Sequence, residues 1–562
     1  MPVAEENIQR VAPELVVPWY QRPGIWLRVA LAVTFLVYLR TITFDFVFDD
    51  HLQIALNPWL DSWRQVPAYF THQLWAFMDY HAQANFYRPV FMVWFAAVKH
   101  LLGGSPGWYH LATILLHLVV VTEAFVFARL LLRDDGAAAI TAAIFALHPA
   151  KVEDVAWIAG GGEPLFAAFF FATFICYWNA RRSERRRLAW TIAALFWFLL
   201  ALFSKEQAIV GPAILAAYEF WDRRDRPFGE RIGKTIVAVL PFAAASGVYW
   251  GVRYHVMHGV TEVANRISVP KTLWTQPLAW TWYLRHLAFP FHLSVFYPDL
   301  IARQFSVRLV LLPALALVAI AAVVWHFARR SAEGVLLVAW FMLTMAPPVA
   351  MVLMVQPHDR YLYLPSFAAS AGLAMAIRKY IASRPMQLGL TAAICTVFAI
   401  ATFLGTAQWD NDVSLMERAV NSAPERTDVR VMLGVSYLQQ GDEQRGMETL
   451  REAARRDPKS LEAWQGLAIH EYTIGEFDAA YSDFQHALAA ALPGQEGLIL
   501  YNMGLVSLRL NRVAEAEEWA RKAIAADPKA PGYHRSLAAI LDAEGRRGEA
   551  EQERRTAATV RK

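Results

Sequence analysis

The stretch "TFDFVFDDHLQIALNP", residues 43–58, follows directly on an apolar run over residues 25–42. Two adjacent carboxylates, Asp49 and Asp50, stand where the chain has just left apolar surroundings, wrapped in Phe44, Phe46 and Phe48. Like charges so close favour protonating one of the two. The pair marks either a solvated loop or an acid or base held at a membrane surface.

Outward from this stretch, apolar runs recur up to about residue 406 and then nearly stop. Of the 562 residues 56% are hydrophobic and 21 are Trp, which is too apolar for a soluble chain and too long for one domain. The pattern predicts an all-α fold: a polytopic membrane helix bundle over 1–406, a linker over 407–425 and a soluble domain over 426–562. The net charge of +4 comes from Arg clusters between apolar runs, which excludes a nucleic-acid-binding face. Cys176 and Cys395 both lie inside apolar runs, as packing residues, so cysteine usage does not define a redox compartment. The first apolar run is long enough to span and reads as a signal anchor, not a cleaved leader.

About eleven spans are expected, at roughly 25–43, 108–131, 137–148, 163–180, 188–203, 206–221, 235–252, 307–328, 335–353, 361–377 and 387–406. Two further runs, 89–102 and 276–291, are short or broken by Arg285, His286 and Pro290. Strongly basic loops lie at 181–187, with five Arg, and at 223–234, 329–330 and 378–384. All four are cytoplasmic only if the two interrupted runs do not span. The N-terminus, with Arg10, Arg22 and Arg28, is then inside and the C-terminus outside. The interrupted runs become amphipathic or re-entrant helices on the outer face. Segments 44–106, 148–162, 204–206, 253–306 and 354–360 all share that outer side.

After residue 425 small residues recur in phase. Gly434, Ala468, Gly504 and Ala538 are spaced 34, 36 and 34 apart; Gly446, Ala480, Ala516 and Ala550 follow each by 12, and Ala453, Ala487, Ala523 and Ala557 by 19. "RRDPKS" and "AADPKA" end two of the units with Pro458 and Pro528. This is the tetratricopeptide pattern, small where two antiparallel helices touch and Pro at the turn into the next unit. Four units stack into a short α-solenoid that binds peptides or proteins in its groove. Trp464, Tyr472 and Phe477 are expected in the helix-pair core, and Arg430, Gln465 and Asn502 on the acceptor-binding face.

Four polar groups stand on the outer side: Asp49-Asp50 with Arg88-Pro89; "HPAKVEDVAWIAGGGEP" over 148–164; "SKEQ" over 204–207; and "QPHDRYLYLP" over 356–365. The plain alternative is that loops are polar and that Arg and Lys snorkel to headgroups. It fits Lys205-Glu206 poorly, because a charged pair in so tight a turn sits near the apolar boundary, where ionisable groups are costly. His148 and His358 are helix-cap or metal candidates, but no HxxxH or CxxC spacing supports a metal, and none is expected. "GGG" without a following GK is not a phosphate loop. Acidic residues beside several Arg and Lys suit a reaction on a lipid-linked phosphate. The leaving phosphate needs cations more than a general acid, and the acceptor hydroxyl needs one carboxylate as base.

"FVFDD", "GWYHLATILLHLVV", "ALHPAKVEDVAWIAGGGEPLFAAFFF", "SKEQAI" and "RYLYLP", followed by the repeats, resemble in order the transmembrane and tetratricopeptide repeat-containing family. That family is similar to protein O-mannosyltransferases of the type C glycosyltransferase fold. The resemblance implies an acidic residue in the first outer loop, matched by Asp49-Asp50, and surface helices in that loop. It implies a dolichyl- or polyprenyl-phosphate sugar as donor, used on the luminal or periplasmic side, and Ser or Thr of a protein as acceptor. The expected compartment is a bacterial inner membrane or the endoplasmic reticulum, with the repeats periplasmic or luminal. The short solenoid departs from relatives with more repeats. The expectation is an inverting glycosyltransferase with Asp50 as base and Asp49 orienting it or the acceptor. Arg88, Lys205 and Arg360 are expected on phosphate, with Lys151, Glu163, Glu206 and His148 lining the substrate pocket. The rival readings are a non-catalytic membrane scaffold recruiting envelope proteins through its repeats, and a transporter or flippase. Against the latter, the charges gather on one face, with no inverted repeat.

Overall fold

A computed structural model describes residues 23–78, 86–257, 269–351 and 357–560; Arg10, Arg22 and Gln356 lie outside them. The described residues fold as helices joined by short turns, with no strand among them. The chain divides into two compact units, residues 1–293 with 300–410, and residues 294–299 with 411–562.

Among the described residues of the first unit, eight helices are long and apolar enough to cross a membrane: Gly24–Thr43, Pro106–Leu132, Ala159–Arg182, Arg187–Ser204, Phe228–Val256, Val307–Ala328, Ala332–Ala350 and Arg384–Trp409. The other three expected spans are the shorter helices Asp135–Leu147, Gly211–Asp222 and Pro365–Tyr380. Two of these are entered through 3-10 turns, Glu206–Val210 and Asp359–Leu362. Pro89–Leu101 is an apolar helix of 13 residues, the same length as Asp135–Leu147. Val269–Ala288 buries Thr275, Ala279, Tyr283 and His286 along one side, the i, i+4 stripe of a half-covered helix.

Asp135–Leu147 lies deepest, with every residue from Ala137 to Leu147 buried. Asp134 starts it by accepting from the amides of Gly136 and Ala137. Its Ala residues at 137–139, 142, 143 and 146 let neighbours approach closely. Among lipid chains this matters more than apolarity, because helix association there depends on packing and not on expelling water. Large rings fill the space beside it. Trp340 lies 5.6 Å from Phe127, 5.3 Å from Phe171 and 4.9 Å from Phe174.

The second unit is four helix pairs, Thr427–Gln439 with Glu443–Arg456, Leu461–Ile474 with Phe477–Ala490, Glu496–Arg509 with Val513–Ala526, and Pro531–Ala543 with Arg547–Val560. All twelve in-phase small residues are buried. At Gly434 a Cβ would lie 2.7 Å from the Leu450 side chain, so the helix contact itself demands glycine. Trp464, Tyr472 and Phe477 pack against the core of the second pair. The segment expected as a linker holds a helix, Asp412–Ser422, capped by Asn411 and tied to the first pair by Tyr437 Oη donating to Glu417 at 2.6 Å.

A staple recurs at three of the four turns into a pair. Arg430 Nη2 donates to the Pro424 carbonyl at 3.0 Å, Trp464 Nε1 to that of Pro458 at 3.0 Å, and His534 Nε2 stands 3.1 Å from that of Pro528. Each donor precedes its small residue by four positions and reaches back six. Arg430, half-buried, therefore holds a turn. Gln465 and Asn502 carry no such bond and are half-buried.

Candidate active site

The loop that leaves the first span turns at Phe48, whose φ of 54° is unusual for an aromatic residue. A π-turn, His51–Ala55, follows. Between them sit the two carboxylates, and the structure separates their roles. Asp50 is fully buried; one oxygen accepts from the Val47 amide at 3.2 Å and the other from the Ala159 amide at 2.7 Å. Asp50 thereby pins this loop to the 159–161 turn; Asp49 is the less buried carboxyl of the pair. Asp49 is half-buried and accepts from Gln53 Nε2 at 3.4 Å. Burial raises its pKa above the usual 3.8, against the pull of Arg360.

The second segment folds as a 3-10 turn, Pro149–Lys151, a helical turn, Val152–Ala156, and another 3-10 turn, Ala159–Gly161. Gly160 passes so close to the Glu153 carbonyl that no Cβ fits, which accounts for the glycine run as a packing device. Glu153 and Asp154 are both buried here. Glu153 accepts from the Arg360 amide and from Arg360 Nη1, each at 3.0 Å, and its carboxylate stands 3.3 Å from His358 Nδ1. Burial pushes Glu153 up, but Arg360 and His358 outweigh it and hold it below the usual carboxylate value. Neither oxygen of Asp154 has a hydrogen-bond partner among the described residues. Burial and then Glu153 push Asp154 well above its usual value, against Lys151, Lys205 and Arg360.

The third and fourth segments bring the cations. Lys205 is ion-paired with buried Glu163, and its Nζ lies 5.2 Å from the centre of the Tyr361 ring. Arg88 grips Glu206 with Nε at 3.1 Å and Nη2 at 2.7 Å, a bidentate fork, and stacks 4.5 Å from Phe86. Burial lowers the Lys205 ammonium well below its usual value, and Arg88 and Arg360 press it further down. Those mutual effects place Arg88, Lys205, Glu206, Asp154 and Arg360 in one electrostatic cluster, and Arg360 links Asp49 to it. Residues from four loops, 42 to 207 positions apart in the ion pairs just described, thus meet.

Two expected pocket residues do other work. His148 accepts from the Ala150 amide at 3.2 Å and stands 2.9 Å from the Leu287 carbonyl, holding a turn. Lys151 is fully buried and donates to the Tyr363 carbonyl at 2.8 Å and to Ser366, with its ammonium 4.3 Å from the Phe145 ring centre. Burial lowers it to about 7, against Asp154. Glu153, Asp154 and His358 join the cluster; the sequence marked the two acids only as part of the polar outer segment 148–164 and His358 only as a helix-cap or metal candidate. Among the described residues no three His, Cys, Asp or Glu side chains are grouped as a metal would need.

The family model described as tetratricopeptide repeat matches residues 413–461 and 466–531. Protein O-mannosyl-transferase TMTC4 of Homo sapiens is 27% identical over 39% of this chain and 32% of its own length. TMTC2 of the same species is 29% identical over 34% and 23%, and Tmtc1 of Drosophila melanogaster is 31% identical over 32% and 21%. The chain thus spans less than a third of these relatives. A solved structure of MamA shares 22% identity over 30% of this chain and 92% of its own, with a TM-score of 0.25, too loose a likeness to argue from. The chain is a multi-pass membrane protein with a tetratricopeptide domain, similar over part of its length to named O-mannosyl-transferases.

Proposed function

We propose that the chain is an inverting glycosyltransferase that moves a sugar, mannose by its relatives' names, from a polyprenyl or dolichyl phosphate to a protein Ser or Thr. The observation that carries this reading is the cluster in which Arg88, Lys205 and Arg360 are each held by a carboxylate, beside the raised carboxyl of Asp49. The acceptor hydroxyl attacks the sugar's C1 and gives its proton to Asp49. The C1–O bond breaks, and the lipid phosphate leaves with the electron pair. Arg88 and Arg360 stabilise the charge that develops on it, already oriented by Glu206 and Glu153. Lys205, lowered well below its usual value by burial and pressed further by Arg88 and Arg360, gains full charge as the phosphate arrives. Trp157, stacked 5.5 Å from Trp409 and with the Arg360 guanidinium 5.4 Å from its ring centre, is buried beside the cluster. The direct test is transfer from radiolabelled polyprenyl-phosphate-mannose to acceptor protein by the purified full chain. No transfer from mannosyl, glucosyl or N-acetylglucosaminyl lipid phosphates would leave the scaffold reading in its place.

The Arg-rich loops set the sides of this reading: the cluster and the repeats lie outside the cytoplasm, in a periplasm or lumen. Single cysteines placed within 440–444 are expected to react with an impermeant thiol reagent on intact cells or sealed vesicles of matching orientation. Those placed within 181–187 are expected to stay unlabelled. The reverse pattern inverts the topology.

The repeats serve as the acceptor's docking surface, which raises its effective concentration without altering the chemistry. Gln465→Arg with Asn502→Arg is expected to raise KM for a folded acceptor about tenfold while leaving transfer to a short Ser/Thr peptide unchanged. Equal loss on both acceptors would place the repeats in support of the membrane unit instead.

A further inference from the structure

We propose that the Tyr361 hydroxyl donates a hydrogen bond to a phosphate oxygen of the lipid donor, an assignment that rests on the lipid-phosphate reading above. Tyr361 lies in the 3-10 turn Asp359–Leu362. Over residues 357–368 every residue is buried except Arg360 and Tyr361. This stretch therefore keeps two groups accessible, one cationic and one neutral.

The cations of the site converge on the Tyr361 ring. Lys205 Nζ lies 5.2 Å from its centre and the Arg360 guanidinium carbon 5.4 Å. Its hydroxyl is within electrostatic reach of Arg88 as well as Arg360. A phosphate that touches all three cations therefore sits beside Tyr361. Each cation is already held by a carboxylate, Arg88 by Glu206, Lys205 by Glu163 and Arg360 by Glu153. A phenol hydroxyl supplies one more donor there without adding a charge that needs a counter-ion. A hydrogen bond to a charged phosphate oxygen is also stronger than one between neutral groups, and its direction helps to fix the phosphate's orientation.

The surroundings hold the ring in place before any substrate arrives. The Arg360 amide donates to Glu153 at 3.0 Å, and the Tyr363 carbonyl accepts from the buried Lys151 ammonium at 2.8 Å, so the backbone is tied on both sides of Tyr361. The ring itself packs against the buried group of Ala150, Tyr283, Met345 and Leu362. A donor fixed in this way needs no reorganisation when charge develops on the leaving phosphate. The other tyrosine of "RYLYLP" is built differently. Tyr363 is fully buried, and its Oη lies 2.6 Å from His117 Nδ1. One hydroxyl of the motif thus pairs inside the helix bundle, and the other faces the cations.

The test uses the full chain in non-ionic detergent. Retention of polyprenyl phosphate, and of polyprenol as the same chain without the phosphate, is read by native mass spectrometry. Stability is read by thermal unfolding and transfer by steady-state kinetics. The wild type is expected to retain polyprenyl phosphate in preference to polyprenol. Tyr361→Phe keeps the ring with its cation contacts and removes only the hydroxyl. It is expected to weaken polyprenyl phosphate binding about tenfold, the effect of one hydrogen bond to a charged group. It is also expected to lower kcat/KM for the lipid donor by at least that factor, with KM for the acceptor and the thermal midpoint unchanged. Tyr363→Phe is expected to do the reverse, lowering the midpoint while the folded protein keeps wild-type affinity. Wild-type affinity in Tyr361→Phe overturns the proposal. So does a loss of affinity accompanied by a fall in midpoint as large as that of Tyr363→Phe, and so does equal retention of the two lipids by the wild type. A wild type that binds polyprenyl phosphate but transfers no sugar overturns the transferase reading alone, and the affinity of Tyr361→Phe then still decides the role of the hydroxyl.

Discussion

Asp49→Asn lowers transfer by ~10² to 10⁴, the usual loss on removing a general base, and leaves the thermal midpoint unchanged. Asp50→Asn acts the other way round. Asn keeps one carbonyl oxygen, but its amide group must then face a backbone N–H that the second carboxylate oxygen had accepted. A buried donor left without an acceptor costs about 1–3 kcal/mol, so the midpoint falls and transfer falls only as the folded fraction does. The pH profile separates the two further. The acid limb of kcat/KM belongs to Asp49 and lies above the ordinary Asp value, because burial raises its pKa. Arg360 pulls that pKa down. Arg360→Gln therefore moves the limb to higher pH, in addition to slowing transfer through the lost phosphate contact. Asp49→Asn removes the limb. If Asp49→Asn keeps near wild-type transfer while Asp50→Asn abolishes it in well-folded protein, the assignment of the base is wrong.

The acidic pair shows where sequence reading stops. Adjacency and the preceding span were enough to locate both carboxylates at a helix exit. Which of them is held by amides depends on Ala159, 109 positions away, and on the turn at Phe48. No local pattern announces either. The repeats were legible for the opposite reason: their constraint is local and recurs, so Gly434, Ala468, Gly504 and Ala538 record one helix contact four times. Even there, phase did not reveal that Arg430 shares the staple position of Trp464 and His534, since an Arg and a Trp look unlike until their bonds to the preceding Pro carbonyls are seen. The charged loops were intermediate. Lys205-Glu206 stood out as costly at an apolar boundary, but the partners of Lys205, Arg88 and Arg360, which are Glu163, Glu206 and Glu153, came from other loops. For His148 and Lys151 the sequence did not show the turn and backbone bonds they make, because a polar residue that satisfies a turn and one that meets a substrate have the same appearance in a sequence.

Lys205→Met is expected to destabilise the membrane unit by about 3–5 kcal/mol, because it strands Glu163 as a buried charge. Glu163→Leu alone strands Lys205 and is expected to cost as much, softened as far as that ammonium, already pressed below its usual pKa by Arg88 and Arg360, releases its proton. The double variant removes both charges and fills the space with apolar side chains of similar size. Replacing a buried ion pair in this way is often neutral or stabilising, so thermal stability is expected to return to near the wild-type value. Activity is not. If Lys205 gains its full charge only as the lipid phosphate arrives, the restored protein still lacks that cation. Transfer then stays low by ~10² or more, the scale of one lost electrostatic contact in a desolvated site. The cycle separates holding the fold from holding the phosphate, which neither single variant can do. Recovery of both stability and transfer in the double variant would make the pair purely structural and leave Arg88 and Arg360 as the phosphate's only cations. Recovery of stability alone places Lys205 among the groups that act on the leaving phosphate.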